Sequence, residues 1–114
     1  MKLYKIINYL KEIGKVSIQF DADKFWFSSF IGSSSSISWD DIIEIEATVG
    51  EYNICGLRMH RKNGKHLNVS SFYNNWDYFR DFVFKKFPNI DVKACEKLWE
   101  GIIIGSMNAI VWKE

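Results

Sequence analysis

The sequence predicts one α+β domain over residues 1–114: an antiparallel sheet or partial barrel packed by a helix at about residues 74–87, with an extra N-terminal helix. Three observations lead there. The chain has 114 residues, 47% of them hydrophobic and 17% aromatic, enough apolar surface for one core. From about residue 16 to residue 73 apolar side chains recur at every second position, the period of half-buried strands. Near residue 74 the period changes to that of a helix.

In the segment 1–14, Leu3, Ile6, Ile7, Leu10 and Ile13 form one helical stripe ending near Gly14. Lys5, Lys11 and Glu12 interrupt its apolar runs and no small-residue cleavage site follows, so it does not read as a signal peptide. Docking on the chain's own sheet is the simpler expectation, while Lys2, Lys5 and Lys11 would also suit an anionic membrane surface. Next, Val16, Ile18 and Phe20 alternate with polar residues, and "DADK" turns the chain into "FWFSSF", a hairpin. "IGSSSS" reads as a loop between strands. In "SWDDIIEIEATV", Ile43, Ile45, Ala47 and Val49 share the core parity, and Ile42, Glu44, Glu46 and Thr48 share the wet one. Trp39 stands where this strand enters the core and is expected to be structural.

The next hairpin carries its own register test. A two-residue turn at Asn63-Gly64 would pair Leu67 with His60 and mix apolar with polar side chains on one face. A three-residue loop, Lys62-Asn63-Gly64 with Gly64 left-handed, pairs Met59 with Leu67 and Leu57 with Val69, and sets His60 opposite His66 on the outer face. Parity alone then places Ile45 and Ala47 beside Leu57 and Cys55, and Glu44 or Glu46 beside Arg58. The acidic and basic blocks become adjacent solvated edges of one sheet, each cross-strand pair worth about 0.2–1 kcal/mol.

Asn74 is the expected N-cap of the following helix, with Asp77 near its positive end, and Pro88 stops it at Phe87. Trp76, Phe79, Phe82, Val83 and Phe87 cover one arc of its wheel. Phe84 falls instead among Asp77, Arg80, Asp81 and Lys85, where it would either support the N-terminal helix or anchor a partner; nearby Tyr78 and Trp76 favour the partner. Residues 91–113 read as a short helix, through Val92, Cys95, Leu98, Trp99 and Ile102, and a closing strand, "AIVWK".

The order Trp39-Asp40-Asp41-Ile42, "EYNICGLRM", "NGK", a helix with Trp76, then Pro88, Trp99 and "NAIVW" resembles a group of small bacterial pleckstrin-homology-like proteins. The resemblance covers about two-thirds of the chain, residues 39–112, and rests on structural residues. It implies a pleckstrin-homology-like partial barrel. Because members often lie beside polymorphic toxins, it also implies an immunity or adaptor role.

Composition and motif content argue against chemistry. A net charge of only +1 excludes wholesale polyanion binding, so no nucleic-acid partner is expected. Two cysteines make no disulfide framework and fit a reduced cytoplasmic chain, and the longest apolar run, "GIIIG", is far short of a membrane span. Cys55 and Cys95 both fall on apolar faces, as core thiols do. His60 and His66 oppose each other, but the sequence places no third ligand beside them, so no metal and no cofactor are expected. Asp21, Asp23, Asp40 and Asp41 sit at turns or strand entries, where Asp bonds to local backbone. No phosphate loop, zincin helix or nucleophile elbow occurs.

The sequence therefore predicts a non-enzymatic protein-interaction domain, with a bacterial toxin neutralised by direct binding as the partner that the resemblance implies. Residues 25–51 hold five acids and no Lys or Arg, whereas 52–76 hold four Lys/Arg and no acids, a sign asymmetry suited to steering a charged partner. The partner-binding candidates are Arg58, His60, Arg61, Lys62, Lys65, His66 and Phe84. The alternative is a module for anionic lipid headgroups, making peripheral membrane contact through Arg58, Arg61, Lys62 and Lys65, although the acidic "DADK" turn opposes it.

Overall fold

The computed structural model describes residues 16–29, 32–50, 54–101 and 107–114, and its first described element is a hairpin whose turn one carboxylate builds. The expected helix at 1–14 lies outside the described residues. Strand β1 (Ser17–Phe20) pairs antiparallel with β2 (Lys24–Ser29), Ile18 opposite Phe27 and Phe20 opposite Phe25. Asp21 Oδ1 accepts the N–H groups of Asp23 at 2.8 Å and Lys24 at 3.0 Å, closing the turn. These bonds, that from Asp23 first, hold the Asp21 carboxyl below the usual carboxylate range.

The serine-rich stretch is not a plain loop. Its Gly32–Ser33 segment, β3, pairs with Ser28 and Ser29 of β2, and the Ser34 hydroxyl accepts the Phe27 N–H at 2.9 Å. Strand β4 (Ile37–Ser38) pairs with the other end of β2, Phe25 opposite Ile37. A 3₁₀ turn, Trp39–Asp41, follows, and the Ser38 hydroxyl caps it by accepting the Asp40 N–H. The turn drops Trp39 into the core at 2% exposure. Its Nε1–H donates to the Asp21 carbonyl at 2.9 Å, and its ring meets Phe25, Phe82, Phe79 and Phe87 at centroid distances of 4.5, 5.4, 5.7 and 6.2 Å.

The second sheet has the order β7-β6-β5-β8, formed by β5 (Ile42–Val49), β6 (Cys55–Arg61), β7 (His66–Ser70) and β8 (Met107–Lys113), with all neighbours antiparallel. The β6–β7 register is the one that an apolar inner face requires: Met59 opposite Leu67, Leu57 opposite Val69 and His60 opposite His66, with Gly64 at φ 83°. Two expectations for β5 fail. A register shift between Ile42 and Glu44 reverses the parity at the strand's start, so Ile42 is buried and Ile43 only half-buried. The pairing with β6 also lies two residues from the expected one, with Ile45 opposite Met59 and Ala47 opposite Leu57. A shift of two keeps every side chain on its face, so the hydrophobic pattern does not distinguish the two registers. The acidic and basic blocks occupy the two central strands of the sheet rather than its edges.

The cap of helix α1 (Trp76–Lys86) lies one residue later than expected, at Asn75 rather than Asn74. The Asn74 backbone is already engaged with β1: its N–H donates to Val16 O at 2.9 Å and its carbonyl accepts from Ile18 N–H at 3.0 Å. The cap position passes to Asn75, left-handed at φ 69° and without a side-chain cap bond. Trp76, Phe79 and Val83 are buried and Phe82 half-buried, while Asp77 and Lys85–Lys86 match the helix dipole at opposite ends. Helix α2 (Val92–Glu100) is capped by Asp91, whose Oδ1 accepts the Ala94 N–H at 3.0 Å, and it buries Cys95. Ile18, Phe25 and Trp39 join Ile45, Leu57 and Met59 of the second sheet and Phe79, Val83 and Cys95 of the helices in one buried cluster. The described residues form an α+β fold of two antiparallel sheets and two helices; among them the strands do not close into a barrel and no helix is long and apolar enough to cross a membrane.

Substitutions at two positions measure these constraints. Trp39→Ala is expected to cost about 3–5 kcal/mol in urea unfolding and Trp39→Phe, which keeps a ring but loses the indole bond, about 1–3 kcal/mol; an unchanged midpoint for the alanine variant contradicts the role assigned to Trp39. At Gly56, a Cβ would stand 2.7 Å from Val69 O and 3.0 Å from Thr48 Oγ1. Gly56→Ala is therefore expected to lower stability by about 1–3 kcal/mol, read from the same unfolding curves.

Candidate functional site

Alternation along the second sheet sends Glu44 and Glu46 of β5, Arg58 and His60 of β6, and His66 and Asn68 of β7 to its polar face. Glu46 sits opposite the Arg58 cation in register, and Glu44 sits opposite the imidazole of His60. Arg58 donates to Asn68 Oδ1 at 3.0 Å and to Glu46 Oε2 at 3.4 Å, and Asn108 Nδ2 of β8 donates to the same Glu46 oxygen at 2.9 Å. The Glu46 side chain is only 12% exposed, so this face is far less solvated than the charge pattern implies. His60 Nε2 lies 3.5 Å from Glu44 Oε2 and 3.4 Å from Glu46 Oε1, and its ring is 5.6 Å from that of His66.

Of the seven partner candidates named from the sequence, His60 lies between the two carboxylates and the other six separate into three groups. Arg58 and Arg61 are committed within the chain, Arg61 to Asp41 at 2.6 Å, so Asp41 holds a cation rather than local backbone. Lys62 and Lys65 are exposed at the β6–β7 turn, with His66 exposed beside them. Phe84 is half-buried rather than displayed among charges, since its ring stacks on Trp99 of α2 at 6.3 Å and 19°. The wheel of α1 alone does not include that second helix, against which Phe84 packs inside the molecule instead of standing exposed as an anchor. The premise of the metal expectation is also overturned: two carboxylates, not none, stand beside His60.

The thiols are poor nucleophiles. Burial pushes Cys55 up, and burial, assisted by the negative charges of Asp91 and Glu96, pushes Cys95 up to about 11.

One surface feature escaped the sequence reading. Where β7 leaves the sheet, the Ser70 hydroxyl accepts the Phe72 N–H at 3.2 Å and turns the chain toward α1. A depression of about 300 Å³ results, lined by residues 71–78. Phe72 and Tyr78, 36% and 73% exposed, both line it. The signal was present in "SSFYNNWDY", a cluster of aromatics and amides, but Tyr78 was expected only to extend a contact centred on Phe84, and Phe72 had no expected role.

No protein-family model, curated protein or solved structure matches this chain.

With Phe84 seated on Trp99, Phe84→Ser is expected to lower unfolding stability by about 1–3 kcal/mol through lost burial. A variant with an unchanged melting temperature would return Phe84 to the surface role.

Proposed function

We propose that this chain is a non-enzymatic protein-interaction domain, and that it serves as a bacterial immunity protein neutralising a toxin by direct binding. The observation that carries the reading is the depression between β7 and α1, where two exposed aromatics, Tyr78 and Phe72, meet the amides of Asn74 and Asn75. Neither ring belongs to the buried cluster. Aromatic anchors within a polar rim are what protein interfaces concentrate. Asp77 is the single carboxylate in the lining, and Arg80 holds it at 3.3 Å, so the depression suits binding better than acid–base catalysis.

The immunity role draws its support from the resemblance of residues 39–112 to small bacterial pleckstrin-homology-like proteins. The same resemblance supports describing the two sheets as a partial barrel of that kind, with their inner faces sharing one core. Anionic-lipid binding has less support, because two of its four cations, Arg58 and Arg61, are already paired with Glu46 and Asp41.

The test reads the genes beside the chain's own and takes a large secreted protein encoded there as the toxin; its absence from that neighbourhood contradicts the immunity role. The wild-type chain is expected to bind it and to protect cells that express it. Tyr78→Ser should keep the melting temperature and weaken the complex by about 2 kcal/mol, roughly thirty-fold. Salt-sensitive pelleting with phosphatidylserine vesicles that a Lys62→Glu/Lys65→Glu variant loses, with toxin affinity unchanged by Tyr78→Ser, would decide for the lipid reading instead.

A further inference from the structure

The geometry points to a divalent transition-metal site of the zinc class on the polar face of the second sheet, formed by Glu44, Glu46 and His60. Strand alternation puts the two carboxylates on one face, two residues apart, and the β5–β6 register sets His60 opposite the first of them. The three donor atoms lie within 4.8 Å of one another.

A second observation is independent of that clustering. His60 Nε2 is shut off from solvent and has no hydrogen-bond partner, although carboxylate oxygens stand 3.4 and 3.5 Å away. Neither carboxylate is aligned to accept a proton from it. A buried ring nitrogen left unsatisfied between two anions is costly, and a positive centre shared by all three groups removes that cost. The two separations from His60 to the carboxylates fit such a centre. Donors bound to zinc at about 2.0–2.1 Å in a tetrahedron stand roughly 3.3–3.4 Å apart.

The outer contacts fit as well. Each carboxylate turns one oxygen to His60 and gives the other to a neighbour: Glu46 Oε2 to Asn108 and Arg58, Glu44 Oε1 to Lys113 at 4.0 Å. Metal-ligating carboxylates are oriented by outer contacts of this type. Mixed imidazole and carboxylate donors suit zinc, cobalt and manganese, whereas calcium and magnesium ask for more oxygens. Three protein ligands leave a fourth position for water, for the nearby His66, or for a group from a bound protein. Arg58 and Lys113 already balance the two carboxylates, so the site is weaker than an all-cysteine zinc centre.

The test is calorimetric titration of the full chain, freed of metal by chelator, with zinc chloride alone, and in parallel cobalt absorption spectroscopy. One zinc per chain, a raised melting temperature and the visible bands of tetrahedral cobalt are expected. Glu44→Gln and Glu46→Gln preserve side-chain shape, and each should weaken zinc at least ten-fold while the metal-free melting temperature stays within a few degrees. His60→Gln should remove both the stoichiometric binding and the cobalt bands. Absence of saturable zinc binding, or zinc affinity in the two glutamine variants equal to that of the wild type, overturns the site even if His60→Gln fails to fold.

Discussion

The indole of Trp39 joins the parts of this fold that the chain makes separately. Its Nε1–H is tied to the Asp21 carbonyl of the first hairpin turn, and its ring touches β2 through Phe25 and α1 through Phe79 and Phe82. The backbone on either side belongs to different sheets, β4 before it and β5 after the 3₁₀ turn. Polar satisfaction and apolar packing are therefore met by one side chain at the junction. An aromatic of this size with its polar atom paired can fill such a junction, where a smaller residue would leave a void and a buried donor would otherwise be orphaned. The turn chemistry of Asp21 thus bears on the core, since the carboxylate that orders the turn also fixes the carbonyl to which the indole bonds.

A second constraint governs the polar face. The acids of β5 and the cations of β6 face one another on central strands, where side chains are half-buried and each charge needs a counter-charge or an amide. Arg58, Arg61, Glu46 and Asp41 satisfy one another in this way. Their use in the fold removes them from the surface that a partner or a membrane would meet, and the sign asymmetry along the sequence becomes neutralisation across strands. His60 is the exception, facing two carboxylates without a bond to either.

The surface left for recognition is correspondingly different in character. It is aromatic and amide-bearing at the junction of β7 and α1, and the exposed β6–β7 turn adds Lys62 and Lys65. Phe84, the apolar residue that looked misplaced on its own helix, is used inside the molecule by Trp99. Tyr78, six residues earlier on the same helix, is 73% exposed.

Local pattern alone determined a good deal here. The change of period near residue 74 marked the helix, Pro88 marked its end, and the requirement for an apolar inner face set the β6–β7 register and the left-handed Gly64. These follow from short-range rules of periodicity and turn conformation, which need no knowledge of distant residues. Tertiary structure decided what those rules leave degenerate. Parity is unchanged by a two-residue slip, so only the packing of β5 between β6 and β8 placed Glu44 opposite His60. A bulge reversed Ile42 and Ile43, and a backbone bridge from β1 took Asn74 from the helix cap. Phe84 needed a second helix against which to stack, and the Phe72–Tyr78 depression needed a strand end and a helix start to meet. Each depends on contacts between elements far apart in the chain, and a sequence pattern records which face a residue takes but not which neighbour it finds there.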